Sequence, residues 1–218
     1  ADNAISQPAL DNLCYQYRYD DLNRLTEKKL PGKGWDYMVY NKLDQLIFSQ
    51  DANQRNKTPQ EWTFAKYDAL GRTIGTGIYQ YPGSTADNNT SAPANSLRIL
   101  LQSQSAGQTV LWEKRDNAAS MGYSNNALPI SDIAYYLSLN YYDNYAIPGL
   151  PANFDQTTVY SNMTDGLPTA SKTTVLNHPQ DMLWTVNYYD NDGRPVETFI
   201  QHYLGSVVSA GNYDEISA

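Results

Sequence analysis

Alternating polar and apolar positions recur along the chain and predict β-strands. Aromatic or β-branched side chains occupy every second position in Tyr15–Tyr19 and in Trp184–Tyr188. A period of two places one set of side chains on a buried face and the other set toward solvent. The alternation resumes in Leu25–Lys28 and in Val196–Ile200, after a short polar break. Each pair of segments is therefore predicted to form one hairpin: a strand, a tight turn and a second strand.

A short motif lies at the break within each hairpin. It reads Tyr, then Asp or Asn, two variable residues, then Gly, Asn or Asp, then Arg or Gln. Clear copies begin at Tyr19, Tyr67 and Tyr189, a degenerate copy begins at Tyr40 and a weaker one at Tyr142. The second residue can accept a hydrogen bond from the backbone two residues later, and the fifth suits the left-handed conformation that closes a hairpin. The residues to which we assign this structural role in the turns are Tyr19, Asp20, Asn23, Arg24, Tyr67, Asp68, Gly71, Arg72, Tyr189, Asp190, Gly193 and Arg194.

The middle of the chain interrupts these repeats. Residues 82–96 are turn formers without periodicity and predict a loop, after which the spacing of Leu97, Leu100 and Leu101 predicts a short helix. A strand is predicted at Val110–Arg115 and a buried strand at Ile133–Tyr145. We predict one continuous β domain in three parts: N-terminal hairpins in 1–81, an insertion with loop, short helix and strand in 82–132, and C-terminal hairpins in 133–218.

The predicted fold class is mainly β. We expect antiparallel β-hairpin repeats that form either a curled sheet or a strip of a β-shell, with one short helix in the insertion. The curled sheet can be open or closed. A lone hairpin is marginal in water, so the hairpins must stack to share a core. The content of 19 Tyr against 4 Phe agrees with this class, because Tyr suits a half-buried strand surface.

Charge and cysteine content exclude several kinds of partner. The net charge of -8 repels phosphate backbones, so nucleic acid and anionic membrane are not expected partners. No run of about 18 apolar residues predicts a membrane span. Because Cys14 is the only cysteine, neither an internal disulfide nor a cysteine-rich metal site can form.

The candidates for catalysis and for ligation favour structural interpretations. His178 and His202 are the only histidines, and no Gly-x-Ser-x-Gly elbow accompanies them. The start of a calcium loop at Asp190–Gly193 would need a Glu at position 201, which is Gln201. Gly32–Gly34 lacks the Ser or Thr of a phosphate loop. We therefore predict no catalytic residue, no metal, no cofactor and no enzymatic activity.

The tryptophans offer an alternative based on binding. Aromatic faces beside Asp, Asn and Gln commonly hold sugars. The candidate ligand-binding residues are Trp35, Trp62, Trp112 and Trp184. The competing interpretation is that these side chains pack inward as the core of the sheet.

The segment from Leu13 to Gly77 resembles the YD repeats of RHS proteins, especially the large surface or secreted proteins of the Bacteroidetes type. The resemblance is carried by Tyr17–Leu25 and Lys66–Arg72, and Tyr188–Arg194 repeats the signature near the C-terminus. Proteins of this family form long β-strips that curl into a hollow shell around cargo, and a variable C-terminal effector often follows the repeats. The resemblance therefore implies a toxin-associated scaffold.

We accordingly expect a non-catalytic structural repeat module of a large secreted or cell-surface bacterial protein, acting as scaffold or shell for cargo or an effector. The alternative is a carbohydrate-binding or adhesive surface module. Expected partners are the remainder of its own longer chain, a glycan or protein ligand, and a second copy joined through open sheet edges. We expect no nucleic acid and no membrane insertion in this segment.

Overall fold

A computed structural model describes residues 5–83, 96–154 and 159–217 of the chain. In these ranges the chain is mainly β, which confirms the predicted fold class. The strands are β1 (Gln16–Tyr19), β2 (Leu25–Lys29), β3 (Asp36–Tyr40), β4 (Leu46–Gln50), β5 (Glu61–Tyr67), β6 (Thr73–Gln80), β7 (Ile133–Asp143), β8 (Thr164–Val175), β9 (His178–Tyr189), β10 (Pro195–Leu204) and β11 (Val207–Ser217). The helices are α1 (Gln7–Leu13), α2 (Ala52–Arg55), α3 (Ser96–Gly107) and a 3-10 turn at Ala152–Phe154.

The order of the described strands in the sheet is their order in the chain, from β1 to β11. The chain divides into two compact units. The first unit comprises Ala1–Ala65, Ile78–Leu111 and Asn126–Ala134, and the second comprises Lys66–Gly77, Trp112–Asn125 and Tyr135–Ala218. Within the first unit β1 to β4 pair antiparallel in succession, and within the second unit β8 to β11 do the same.

The core of the first unit is built on aromatic side chains of β4 and β5. Phe48 and Phe64 are cross-strand partners, and the Phe48 ring meets the edge of Trp62 at a centroid distance of 6.4 Å. Helix α3 buries Leu97 and Leu101, which confirms the predicted helix. Leu100 is 41% exposed, because the buried face follows the four-residue spacing of Leu97 and Leu101.

Tyrosine supplies much of the core of the second unit. Tyr141 is fully buried, and its ring stacks between those of Tyr123 and Trp184, at centroid distances of 5.7 and 6.0 Å. The Tyr188 hydroxyl donates a hydrogen bond of 2.7 Å to the carbonyl oxygen of Phe154. Burial raises the pKa of Tyr123 to about 12. Tyr therefore acts here as a core aromatic whose hydroxyl also satisfies a backbone carbonyl.

The predicted alternation is confirmed at one end of the chain and wrong at the other. Trp184, Val186 and Tyr188 all lie buried on β9, as expected. Tyr17 and Tyr19 on β1 are 48% and 60% exposed. The reason is position: β1 is the first strand of the sheet, so it lacks the second neighbouring strand that would help to cover its side chains.

The insertion differs from the sequence prediction in one element. The strand expected at Val110–Arg115 is wrong, since the chain there is irregular apart from an isolated bridge between Arg115 and Tyr123. In this segment the Ser124 N–H donates a hydrogen bond of 2.8 Å to the Lys114 carbonyl. Strand β7 confirms the strand expected at Ile133–Tyr145, and residues 84–95 of the predicted loop lie outside the described residues.

None of the helices in the described ranges is long and apolar enough to span a bilayer. The division into hairpins, insertion and hairpins stays a prediction.

Replacing Tyr188 by Phe tests the contribution of the tyrosine hydroxyls. We expect the free energy of unfolding to fall by on the order of 1 kcal/mol, because the buried carbonyl of Phe154 loses its donor. Tyr15→Phe is the matched control, since Tyr15 is exposed. Urea unfolding of both variants measures the difference, and equal losses would contradict this account.

Candidate functional site

The turn between β1 and β2 shows how the motif closes a hairpin. The Asp20 N–H donates to the Arg24 carbonyl (3.0 Å), and the Asn23 N–H donates to the Asp20 carbonyl (2.9 Å). The Asp20 Oδ1 atom accepts from the N–H groups of Leu22 (3.0 Å) and Arg24 (2.9 Å). Asn23 has a φ of 60°. One carboxylate oxygen therefore satisfies two backbone donors while a left-handed residue reverses the chain.

The same geometry recurs in the turns between β5 and β6 and between β9 and β10. Asp68 Oδ1 accepts from the N–H groups of Leu70 and Arg72, both at 2.9 Å. Asp190 Oδ1 accepts from Asp192 and Arg194, also at 2.9 Å. The left-handed residues are Gly71 (φ 79°) and Gly193 (φ 74°).

The second carboxylate oxygen of each turn binds the arginine of the same motif. Arg24 Nε donates to Asp20 Oδ2 at 2.8 Å, Arg72 Nε to Asp68 at 2.6 Å, and Arg194 Nε to Asp190 at 2.7 Å. The backbone N–H of Arg194, together with its guanidinium, lowers the pKa of the Asp190 carboxyl. The Asp190 carboxylate is therefore favoured by the donors of its own turn.

The degenerate copy at Tyr40 forms a neutral version of this turn. Asn41 Oδ1 accepts from the N–H groups of Leu43 (2.9 Å) and Gln45 (3.0 Å). Asn41 Nδ2 donates to Gln45 Oε1 at 2.7 Å, in place of the ion pair. Asp44 takes the left-handed position with a φ of 58°. Asn and Gln together reproduce the geometry of Asp and Arg without charge.

The weaker copy predicted at Tyr142 does not form this turn. Strand β7 runs to Asp143, whose φ is 74°, and the Asp143 carboxylate accepts two hydrogen bonds from Arg72, at 2.8 and 2.7 Å. Asp143 Oδ1 also accepts from the Gly166 N–H at 2.7 Å. The prediction of a turn is wrong here because the carboxylate is committed to Arg72 and Gly166.

Two motif arginines extend beyond their own turns. Arg24 lies over the Tyr40 ring, with its carbon Cζ 5.1 Å from the centroid, and donates to Asp44 at 2.9 Å. The Tyr40 hydroxyl donates a hydrogen bond of 2.8 Å to the carbonyl of Leu25, the residue that follows Arg24. We call this arrangement of an arginine on the tyrosine and aspartate of a later motif copy an arginine clamp.

Arg72 makes the second arginine clamp. Its Cζ atom lies 4.3 Å from the Tyr142 ring centroid, and its guanidinium donates to the Asp143 carboxylate. The Tyr142 hydroxyl donates to the Thr73 carbonyl at 3.2 Å. The hydrogen bonds that Arg72 donates to Asp143 raise the pKa of the Arg72 guanidinium. Burial opposes this shift, and the hydrogen bond and charge of Asp68 add to it. Arg194 differs, since its side chain is 72% exposed and pairs with Asp190 and Asp192 of its own turn.

The motif tyrosines themselves have different surroundings. Tyr19 is exposed, Tyr67 is half-buried and Tyr189 is buried. The Tyr189 hydroxyl donates to the Pro168 carbonyl at 2.8 Å. The roles of Asp44 and Asp143 as clamp acceptors were missed by sequence reasoning, although each lies within a degenerate copy of the motif.

The four candidate tryptophans do not share one environment. Trp62 and Trp184 are buried, so neither presents an open ring face to a sugar. The Arg18 guanidinium covers the Trp35 ring, with its Cζ atom 4.2 Å from the ring centroid. Trp112 is 37% exposed. Core packing therefore accounts for Trp62 and Trp184.

The candidates for ligation occupy structural positions. His202 faces Asp214 across neighbouring strands at 2.9 Å, and the His178 ring lies 5.5 Å from that of Tyr203. Gly32 has a φ of 70° in the turn between β2 and β3. Within the described ranges, no group of three His, Cys, Asp or Glu side chains is placed to hold a metal ion.

The strands and turns together define a chain of antiparallel β-hairpin repeats. No protein-family model matches this chain, and no curated protein matches it. It is similar to the solved structure of TcdB2-TccC3, with 12% identity over 86% of this chain and a TM-score of 0.31. It is also similar to TcdB2-TccC3-TEV, with 14% identity over 87% of this chain and a TM-score of 0.25. The chain spans only 8% and 9% of the lengths of those chains.

Replacing Arg72 by Lys tests the arginine clamp. Lys keeps the positive charge but cannot bind Asp68 and both oxygens of Asp143 together. We expect the free energy of unfolding to fall by roughly 1–3 kcal/mol, as for hydrogen bonds to charged groups. The exposed Arg194→Lys is the control, with an expected change within about 0.5 kcal/mol. A similar change in both variants by urea unfolding would show that the clamp does not contribute.

Lowering the pH tests the same clamp by protonating the Asp143 carboxylate. The hydrogen bonds from Arg72 lower the pKa of Asp143 in the folded chain below its usual value of about 3.9. The stabilisation is therefore fully present above about pH 4 and is lost as the pH falls through the folded pKa. We expect Asp143→Asn to be less stable than the unaltered chain near pH 6, with the gap closing toward pH 2–3. A gap independent of pH, by chemical denaturation, would contradict the assignment.

Proposed function

We propose that this chain is a non-catalytic structural repeat module, which acts as a scaffold or shell segment for cargo or an effector within a larger secreted or cell-surface bacterial protein. The observation that carries the proposal is the repeated turn with its arginine clamps. The location and the cargo rest on the resemblance of the Tyr-Asp motifs to RHS repeats, and the remainder of a longer chain is the principal proposed partner.

The motif side chains are engaged within the protein, which supports a structural role. In the Asp20 and Asp68 turns, one carboxylate oxygen binds backbone N–H groups and the other binds the motif arginine. A general acid or base must instead reach a proton on a substrate. Residues committed in this way stabilise hairpins.

The clamps supply what a scaffold of hairpins requires. Each hairpin alone is marginally stable, so a repeat array depends on interactions between neighbouring units. Arg24 joins the turn after β1 to the turn after β3, within the first unit. Arg72 joins the turn after β5 to the end of β7, within the second unit. Both clamps couple a turn to a later strand of the sheet.

A carbohydrate-binding or adhesive surface is the second candidate. The observation in its favour is the exposure of Tyr17 and Tyr19 on β1 and of Tyr15 directly before it, so that alternate positions present aromatic rings. Aromatic surfaces of this kind can stack on sugars. The scaffold is preferred because the turn geometry recurs in four copies, whereas the aromatic stripe is confined to one strand.

Exchanging one copy of the motif for another tests the scaffold proposal. Asn41→Asp with Gln45→Arg converts the neutral turn to the charged form found at Asp68 and Arg72. If the residues serve only to close hairpins, the copies are interchangeable, and we expect the unfolding midpoint to be retained or raised. Asn41→Ala with Gln45→Ala is the control, which should lose about 1–2 kcal/mol because two backbone donors lose their acceptor.

A glycan array read with the unaltered chain distinguishes the two candidates. The scaffold proposal predicts no saturable binding. Binding that is saturable and is lost on replacing Tyr17 and Tyr19 by Ser would favour the carbohydrate-binding surface. Unfolding of the exchanged Asn41 and Gln45 variant would contradict the scaffold proposal independently.

A further inference from the structure

A buried ion pair lies in the second unit, apart from the turns. The Lys66 side chain on β5 is 3% exposed and that of Glu113 is 0% exposed, and Lys66 Nζ lies 2.6 Å from Glu113 Oε1. The same Nζ atom lies 2.6 Å from the side-chain oxygen Oδ1 of Asn125. An amine, a carboxyl group and a primary amide therefore meet at one point.

The backbone around this cluster holds the three groups in place. The Glu113 N–H donates to the Tyr67 carbonyl at 2.8 Å, next to Lys66. The Ser124 hydroxyl donates to Glu113 Oε2 at 2.7 Å and accepts from the Lys114 N–H at 2.9 Å. Asn125 follows Ser124 directly, so its amide is presented to Lys66 by the same contacts. The closeness of Nζ to the amide is a consequence of the fold.

Burial makes the charged forms of this cluster costly. Desolvation lowers the pKa of Lys66, although the hydrogen bond and charge of Glu113 oppose it. Burial, and in second place the charge of Glu113, raises the pKa of Tyr136 to about 12. Transfer of a proton from Lys66 to Glu113 removes both charges from this low-dielectric site and leaves a neutral, nucleophilic amine.

We propose that Lys66 and Asn125 become joined by an isopeptide bond, with Glu113 as the carrier of the proton. Lys66 Nζ attacks the side-chain carbonyl carbon of Asn125, and a new carbon–nitrogen bond forms. Nζ gives up two protons, one to Glu113 before the attack and one as the new bond forms. The bond from that carbon to the amide nitrogen breaks, and this nitrogen takes up both protons by way of Glu113 and leaves as ammonium. Glu113 returns to its carboxylate form, so no oxidant, reductant or other reactant is required.

The surroundings of Asn125 suit this reaction. Asn125 is exposed as a residue, so ammonia has a direct path to solvent, while Lys66 and Glu113 remain buried. The new bond would join β5 to the irregular segment that follows α3, between positions 59 residues apart. A covalent link of this length restricts the unfolded chain and would therefore stabilise the folded module.

Lys172 offers an internal comparison. Its pKa is also lowered by burial, but its Nζ atom lies over the Trp184 ring at 4.2 Å from the centroid. No carboxyl or amide partner is among its described contacts. Lys172 therefore shares the desolvation of Lys66 but lacks the two other reacting groups, and it is expected to stay unmodified.

Mass spectrometry of the full chain tests the proposal. The folded chain is incubated at neutral pH until its mass is constant, then denatured and measured. We expect the mass to be lower than that of the sequence by one ammonia molecule. Trypsin should no longer cut after Lys66, so that residues 58–72 and residues 116–172 emerge as one cross-linked fragment, while cleavage after Lys172 is unaffected.

Three variants make the result specific. Asn125→Ala removes only an exposed side chain, keeps the Lys66 and Glu113 pair, and should show the full sequence mass. Glu113→Gln removes the proton carrier and should leave Lys66 and Asn125 unreacted. Lys66→Arg retains the positive charge beside Glu113 but cannot form the bond.

Two outcomes would overturn the proposal. The first is an unaltered chain that retains its full mass. The second is loss of ammonia with normal cleavage after Lys66, which would indicate ring closure of Asn125 onto its own backbone. Persistence of the mass loss in Lys66→Arg would lead to the same conclusion.

Discussion

The hydrogen bonds that two backbone N–H groups donate to one Asp or Asn oxygen are the interaction on which the rest of this structure depends. At Asp20, Asn41, Asp68 and Asp190 the same oxygen closes the turn. The turn sets the register of the two strands that it joins, and a slip of one residue would exchange their buried and exposed faces. The burial of Trp184, Val186 and Tyr188 on β9 therefore depends on the position of Asp190, two residues beyond Tyr188.

Geometry matters more than charge in these turns, as the neutral copy shows. Asn41 and Gln45 reproduce the hydrogen bonds of Asp68 and Arg72, so an ion pair is not needed to close the hairpin. Arginine adds contacts to residues outside its own turn. Its planar fork binds the Asp of its own turn through Nε and retains further N–H groups for a carboxylate in a later strand, while its face lies on a tyrosine ring. Two of the three charged copies, those of Arg24 and Arg72, therefore couple their turn to a later part of the sheet.

Local chemistry could be predicted from the sequence, and long-range partners could not. The turns at Asp20, Asp68 and Asp190 depend on five consecutive residues, which explains why the motif alone indicated them. Asp143 follows a tyrosine in the same way, but its conformation depends on Arg72, which lies 71 residues earlier. The exposure of Tyr17 likewise follows from the position of β1 as the first strand of the sheet, which alternation alone does not reveal.

The interior of this sheet contains charge, and this limits what packing alone can explain. Glu27 is buried in the first unit and binds both Arg18 (2.6 Å) and Arg98 (3.2 Å). Buried pairs often contribute little net stability compared with apolar residues, but loss of one partner is costly because the other charge is left uncompensated. Such pairs therefore penalise incorrect strand pairings more than they stabilise the correct one. In a sheet built from similar hairpins, we expect that penalty to distinguish the correct neighbour from other copies of the same motif.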